Sequence, residues 1–336
     1  MKRFIVKTFI FFTPIFTPVL YYLSLSTKYE CSGDIGSMAK IFFEKDYHTN
    51  LDIIPDSILI QDVEIQEIPD SSAILCFGDS FSTRRPYSYL QPIAEHLGTN
   101  IVNVLYNIDN APEDAALGFL ANEHNSKMPQ IMIVESVERS SVARLFWLDT
   151  SHPFSIEQLQ EGKKHSTNTP LQSIEKEIIS FYKYRLGWNN SVVFEKLEKT
   201  CFTSKNNKKD LYSYYEDTVH YSKEFVDSAA NKLHQLHQFA KTRKVKLIYV
   251  IASNKSTLYA PYTNNKDKYF TIENTPSFDT LPFYFNSINL LRQLDETGEK
   301  DIYYCDDTHW TPKTAKIIGE KLTEIIIEQF DNHITQ

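Results

Sequence analysis

The sequence predicts an α/β fold in which a doubly wound, mostly parallel sheet is flanked by helices. Two observations indicate it. Short, continuously apolar runs such as 73–77 and 245–252 are typical of buried strands, and stretches with helical spacing separate them. The joins between these segments are short, and strands that alternate with helices in this way pair in parallel.

The regular alternation begins at residue 73, after an irregular lead-in segment in which 58–60 is a candidate for a short strand. Gly98 is expected to end the first helix as its C-cap. Between 142 and 221 the alternation stops, and the polar composition predicts a helical insertion over the sheet. Residues 276–294 are expected to form a loop and then a helix. The predicted strands are 73–77, 101–105, 130–135 and 245–252, and the predicted helices are 87–97, 114–122, 222–243 and 313–330.

The composition is that of a globular protein with an acidic balance. The 336 residues carry a formal net charge of −8, and 42% of them are hydrophobic. Phosphate contacts need clustered lysine and arginine, so this charge argues against a nucleic-acid partner. The cysteines and histidines show no spacing typical of a metal site, and no metal or cofactor is predicted. A disulfide between Cys31 and Cys201 is one option that the sequence leaves open.

A Gly-Asp-Ser sequence follows the first predicted strand directly. Gly78, Asp79 and Ser80 come immediately after the apolar run 73–77. A short buried strand that ends in this way projects the serine hydroxyl out of a sharp turn, and it leaves the following backbone N–H groups free to hold an oxyanion. The motif therefore predicts Ser80 as a nucleophile.

A second motif lies near the C-terminus, where two aspartates precede a histidine. His309 is expected to act as the base for Ser80, and Asp307 is expected to orient its imidazole ring. Asp306 gives the more usual Asp-x-x-His spacing and is the alternative acid. Together the two motifs predict the Ser-His-Asp site of a serine hydrolase.

Several residues at predicted strand ends or beside the motifs are candidates for contact with substrate or oxyanion. In a doubly wound sheet, ligands collect at the carboxyl ends of the strands. Trp310 either packs under its loop or stacks on a sugar, and Glu138 and Arg139 either form an internal ion pair or contact the substrate. The candidates are Gly78, Asp79, Phe81, Glu135, Arg139, Lys255, Tyr259 and Trp310.

The two motifs are similar to those of a known superfamily. Gly78-Asp79-Ser80-Phe81-Ser82 and Asp307-Thr308-His309-Trp310-Thr311-Pro312 resemble the motifs of SGNH (GDSL-type) hydrolases, and within them the AlgJ/AlgX group of bacterial polysaccharide O-acetyltransferases. The resemblance spans about 72–327 and implies an SGNH/flavodoxin-like sheet. In the AlgJ/AlgX group the Asp-His motif precedes the serine motif, whereas here it follows it. The Gly and Asn oxyanion donors of typical SGNH enzymes are not recognisable in this sequence.

The N-terminus predicts a membrane anchor or a signal segment at 1–28. Lys2, Arg3 and Lys7 precede the mostly apolar stretch 8–25, which contains no charge and is just long enough to span a membrane. The positive flank favours an N-terminus in the cytoplasm and a single-pass inner-membrane protein whose main domain lies in the periplasm. A cleaved signal peptide is the alternative. A lead-in segment at 29–70 and a hydrolase-like domain at 71–336 complete the predicted organisation.

The resemblance implies an O-acetyltransferase that acts on an exported bacterial polysaccharide through an acyl-enzyme. Such proteins commonly work beside a multi-pass membrane acyltransferase that supplies acetyl groups, so that partner, the membrane and a polysaccharide acceptor are expected. An extracytoplasmic carbohydrate acetyl esterase is the alternative, because the two differ only in whether sugar or water resolves the acyl-enzyme. A non-catalytic, sugar-binding assembly protein is the second alternative, because the oxyanion donors are missing.

Overall fold

The computed structural model is an α/β fold built around a parallel sheet. It describes residues 2–31, 33–52, 55, 57–70, 72–83, 87–107, 109–122, 128–160, 170–188, 191–273 and 275–330. The strands are β1 (Tyr29–Glu30), β2 (Phe43–Glu44), β3 (Ile60–Glu64), β4 (Ile74–Phe77), β5 (Ile101–Leu105), β6 (Ile131–Val137), β7 (Val192–Lys196), β8 (Asp210–Tyr214), β9 (Lys246–Ala252) and β10 (Tyr284–Asn286). The helices are α1 (Lys2–Lys28), α2 (Asp34–Ala39), α3 (Tyr47–Leu51), α4 (Ser80–Thr83), α5 (Leu90–Leu97), α6 (Pro112–Asn122), α7 (Glu138–Trp147), α8 (Ile156–Gln160), α9 (Pro170–Arg185), α10 (Lys223–Thr242), α11 (Lys255–Tyr259), α12 (Pro276–Asp279), α13 (Ile288–Glu296) and α14 (Pro312–Phe330).

Six strands form the central sheet, and all of them run parallel. Their order across the sheet is β10-β9-β6-β4-β5-β3. Ile74 of β4 pairs with Ile101 of β5 and with Ile131 of β6, so β4 lies between these two strands. The chain goes from β4 to β5 on one side and returns to β6 on the other. This reversal opens a crevice at the carboxyl end of β4, where doubly wound sheets bind ligands.

Side chains that alternate along the strands enter two separate cores. In β4, Ile74 and Cys76 belong to the core that includes α5 and α14, whereas Leu75 and Phe77 belong to the core that includes α6, α7 and α10. Because helices cover both faces of the sheet, every residue of this strand is buried. That explains why the strand reads as a continuous apolar run rather than as an alternating one.

The structure differs from the predicted organisation in the connecting segments. The predicted insertion at 142–221 is not purely helical, because it contains the antiparallel hairpin of β7 and β8; residues 161–169 and 189–190 of it lie outside the described part of the chain. Strand β10 lies within 276–294, where a loop and a helix were expected. In the lead-in segment, β3 pairs with β5 and forms one edge of the sheet.

The C-terminal end of α1 is docked on the domain. Tyr22 is only 5% exposed, and its ring packs against Phe42 and Phe181. The Tyr182 hydroxyl donates to the carbonyl of Pro18 at 2.8 Å. Among the described residues, no helix is both long enough and apolar enough to cross a membrane.

Candidate active site

Ser80 lies at the carboxyl end of the central strand β4, where it begins the short helix α4. Its side chain is exposed, although the strand before it is fully buried. A Cβ atom on Gly78 would lie 2.1 Å from Ser82 Oγ, so this turn can close only around a glycine. The Tyr106 hydroxyl donates to the Gly78 carbonyl at 3.1 Å and fixes the turn from the neighbouring strand. The turn presents the serine hydroxyl at the mouth of the crevice.

Ser80, His309 and Asp307 form one chain of hydrogen bonds. His309 Nε2 lies 2.6 Å from Ser80 Oγ, and the Nδ1 atom on the other side of the ring is hydrogen-bonded to Asp307 Oδ1. The same carboxylate oxygen accepts the backbone N–H of His309 at 2.9 Å. Asp307 therefore fixes the tautomer in which Nδ1 carries the proton and Nε2 can take the proton of Ser80.

Asp306, the alternative acid, has a different partner. Both of its carboxylate oxygens are bound by His48 Nε2, at 2.8 and 2.9 Å. The His48 ring stacks on Tyr304 with a centroid distance of 4.5 Å. Asp306 thus joins the lead-in segment to the Asp-His loop. Asp307, and not Asp306, is the aspartate that binds the ring of His309.

Lys255 holds the Asp-His loop from behind. Its side chain is 1% exposed, and Nζ donates to the carbonyls of Tyr304, Cys305 and Asp307 at 3.3, 3.1 and 2.9 Å. Burial lowers the pKa of the Lys255 amine. Nearby negative groups oppose this change, and Asp34 has the strongest effect among them. Lys255 was predicted to line the site, but it is enclosed by the backbone that it supports.

The lead-in segment packs directly onto the same loop. The backbone N–H of Gly36 donates to the Asp306 carbonyl at 2.8 Å, and a Cβ atom on Gly33 would lie 2.5 Å from that oxygen. Tyr47 accepts the N–H of Cys305 at 3.0 Å and donates to Asp301 at 2.9 Å. A segment far from the catalytic motifs in sequence therefore determines the shape of the loop that carries the histidine.

Both carboxylate oxygens of Asp79 are bound by neighbouring groups of the chain. Arg144 of α7 donates to its two carboxylate oxygens at 2.5 and 3.2 Å. The backbone N–H of Val137 donates to it at 3.0 Å. A bidentate arginine–carboxylate pair is geometrically specific, so Asp79 anchors the serine turn to α7.

Glu135 supports the serine turn from below. It is fully buried, and one of its oxygens accepts the N–H and the hydroxyl of Ser82 at 3.2 and 2.8 Å. Burial, with a contribution from Asp79, raises the pKa of Glu135 to about 8. Glu135 was a candidate for contact with substrate. Its hydrogen bonds with Ser82 show that it supports the serine turn.

A pocket of about 360 Å³ opens beside Ser80. Asn110 belongs to its wall, and in the described part of the chain no group accepts a hydrogen bond from its buried Nδ2 atom. A buried amide without a partner is costly unless something else binds it. The amide can therefore donate to an oxygen that arrives with a ligand. The pocket is lined by Gly78, Asp79, Ser80, Thr83, Val104, Leu105, Tyr106 and Asn110.

The aromatic candidates pack around the histidine. The Phe81 ring lies 4.7 Å from the His309 ring and 4.5 Å from the ring of Trp310. Trp310 is 3% exposed and also packs against Tyr89. These contacts place Trp310 under the loop, where it limits the movement of the histidine.

The remaining candidates contact other parts of the chain. Glu138 is buried and accepts the backbone N–H groups of Asn254 and Ile272 at 2.8 and 2.9 Å, so it joins loops and does not pair with Arg139. The Arg139 guanidinium lies 4.6 Å above the ring of Tyr214. Tyr259 is 1% exposed and is a core residue rather than part of the site wall.

The hydrogen bonds of Ser80, His309 and Asp307 are arranged for the transfer of a proton. Asp34, Asp307 and His309 bring oxygen and nitrogen atoms within 4.8 Å of one another, which is close enough to share a metal ion. His309, however, uses Nδ1 for Asp307 and Nε2 for Ser80, so neither ring nitrogen is left for a cation. What the arrangement can do is take a proton from Ser80 and return it to another oxygen.

Sequence reasoning missed three residues of the site: Asp34, Asn110 and Arg144. Asn110 carried one usable signal, its position in the polar run after a predicted strand whose carboxyl end faces the site. Asp34 and Arg144 carried none, because their partners are distant in sequence.

No family model matches the chain, and comparisons with curated proteins and with solved structures found no match either.

Proposed function

We propose that this protein is a serine acyltransferase that moves an acetyl group to a hydroxyl of an exported polysaccharide. The observation that carries the proposal is the chain of hydrogen bonds from exposed Ser80 through His309 to buried Asp307. Beside this chain lies a pocket whose wall holds an amide with no acceptor among the described residues. The motif resemblance to SGNH enzymes of the AlgJ/AlgX group supports acetyl as the group transferred. The small pocket beside the serine suits a short acyl chain.

The geometry supports a two-step reaction. Ser80 Oγ attacks the acyl carbonyl carbon while His309 Nε2 takes its proton, and we assign the Asn110 amide, in the wall of the same pocket, to hold the resulting oxyanion. The tetrahedral intermediate collapses, and His309 returns the proton to the leaving oxygen. A sugar hydroxyl then gives its proton to His309 and attacks the acyl-serine, which releases the acetylated sugar and restores Ser80.

The experiment measures which molecule receives the acetyl group. The full-length protein in detergent is supplied with 4-nitrophenyl acetate and with a mixture of neutral and acidic oligosaccharides. Full-length protein is needed because Tyr22 at the end of α1 is part of the packed domain. Transfer predicts an acetylated Ser80 and oligosaccharides heavier by an acetyl group. Acetate alone, at every sugar concentration, would support the esterase alternative.

The matched controls are two serine variants. Ser80→Ala removes the nucleophile and should lower nitrophenol release by about 10³-fold or more, because a triad acts as a unit. Ser151→Ala, in an exposed loop, should leave it unchanged. Equal turnover by the two variants would refute the acyl-enzyme.

A further inference from the structure

Asp34 of the lead-in segment contacts the catalytic loop at its central residue. Its Oδ1 atom accepts the backbone N–H of Thr308 at 2.8 Å, and its Oδ2 atom accepts the Thr308 hydroxyl. Tyr214 of β8 donates to Oδ2 at 3.1 Å. Thr308 lies between Asp307 and His309, so one carboxylate fixes the residue that joins the acid to the base.

The same carboxylate lies close to the histidine itself. Asp34 Oδ2 is 4.0 Å from His309 Nδ1, the nitrogen that Asp307 already binds. Two carboxylates therefore face one edge of the imidazole, while Ser80 faces the other. Asp34 is therefore a second carboxylate on the Nδ1 side of the ring, opposite the Nε2 atom that faces Ser80.

Other groups around the loop do not duplicate this arrangement. Asp306 is turned to His48, and Lys255 binds carbonyl oxygens rather than the carboxylate of Asp307. Phe81 covers a face of the ring without a polar contact. Asp34 and Asp307, in contrast, each place a carboxylate oxygen within 4.8 Å of a ring nitrogen of His309 and of one another.

We propose that Asp34 is a positioning residue of the active site, which acts through Thr308 and beside Asp307 to hold the His309 ring in the orientation in which Nε2 faces Ser80. The proposal rests on the proposed function for its role in catalysis, but the effect of Asp34 on His309 can be measured separately. By this proposal the lead-in segment contributes a residue to the active site, and it does not serve only to connect α1 to the sheet.

The test compares Asp34→Asn with Asp46→Asn, a matched change at an exposed aspartate of the same segment. An asparagine can still accept the N–H of Thr308 through its one oxygen, but its amide nitrogen cannot accept the Thr308 hydroxyl as Oδ2 does. Asp34→Asn therefore removes the charge and one of the two bonds to Thr308, and keeps the other. We expect kcat for acyl transfer to fall about 10- to 100-fold with little change in KM. The low-field proton NMR signal of His309 Nδ1–H should shift in this variant and stay in place in Asp46→Asn.

A second variant covers the case in which Asp34→Asn does not fold. Thr308→Val removes only the hydroxyl that donates to Asp34, and it should also lower kcat and shift the same signal. Wild-type kcat and an unmoved signal in a folded variant would overturn the proposal. If the wild-type protein forms no acetylated Ser80, the proposed function fails, while the NMR signal still decides the role of Asp34.

Discussion

At the scale of single residues, the two adjacent aspartates before His309 have separate tasks. Asp307 binds the imidazole and the backbone N–H of His309. Asp306 binds His48, which belongs to the lead-in segment. Two identical side chains in adjacent positions point in different directions because the loop turns between them, and this difference can be tested by neutralising each in turn.

Asp307→Asn should lower kcat/KM by roughly 10³- to 10⁴-fold, because an amide no longer selects the tautomer that accepts the proton of Ser80. Asp306→Asn should lower it by less than about tenfold, since it changes only a contact behind the loop. Initial rates of nitrophenyl acetate cleavage compare the two variants. The reverse ranking would transfer the orienting role to Asp306.

Sequence reasoning at this scale identified the three residues of the hydrogen-bonded chain but not their surroundings. Ser80 and His309 lie in short motifs whose spacing is local, so the pattern was readable. Asp34 is brought to Thr308 by folding across most of the chain, and no local pattern records such a contact. The unpartnered amide of Asn110 becomes visible only when the burial of its side chain is known.

At the scale of elements, the lead-in segment and the Asp-His loop behave as one unit. Gly33 has a φ of +66°, and a Cβ atom there would lie 2.5 Å from the backbone oxygen of Asp306. That oxygen cannot move freely, because it also accepts the N–H of Gly36. The close approach of the two backbones therefore depends on the glycine.

Gly33→Ala should lower both the melting temperature and kcat. Gly98→Ala is the matched control, because Gly98 also has a positive φ, +59°, but has nothing within 4 Å of the added methyl group. Both variants carry the cost of placing alanine at positive φ, about 1 kcal/mol, and only Gly33→Ala adds the clash. Thermal unfolding and acyl-transfer rates measure the two effects. Equal losses of kcat in both variants would contradict the coupling.

The elements themselves were predictable where their pattern is strong. The buried strands β4, β5, β6 and β9 read as continuous apolar runs because helices cover both faces of the sheet. The three residues of β10 are only partly buried, and buried residues alternate with more exposed ones in β7. Strand β8 is almost entirely buried, but Asp210 and Ser213 interrupt its apolar pattern. Their strand character comes from the neighbours that they pair with, and those are set by the whole fold.

At the scale of the whole molecule, the buried acid under the serine turn makes stability depend on pH. Glu135 has a pKa of about 8 in the folded protein, against an ordinary value of 4.5. Between these values the folded state keeps a proton that the unfolded state releases. By linkage, the free energy of unfolding contributed by Glu135 is fully present below the lower value and is lost as pH rises through the higher one.

Glu135→Gln should therefore flatten the pH dependence of stability. In the wild-type protein the contribution of Glu135 should fall by up to about 1.4 kcal/mol per pH unit between these limits. A glutamine can still accept both bonds from Ser82 and does not titrate. Melting temperatures measured from pH 5 to 8.5 compare it with Glu216→Gln, an exposed control. Parallel curves for wild type and Glu135→Gln would show that Glu135 is not the group responsible.

Only a short stretch of chain connects the docked end of α1 to Asp34, which is hydrogen-bonded to Thr308. Helix α1 ends at Lys28, and Asp34 is already hydrogen-bonded to the catalytic loop. Six residues of extended chain reach about 20 Å at most, so the Asp-His loop cannot lie far from the end of this helix. Any surface to which α1 binds therefore also sets the distance between that surface and Ser80.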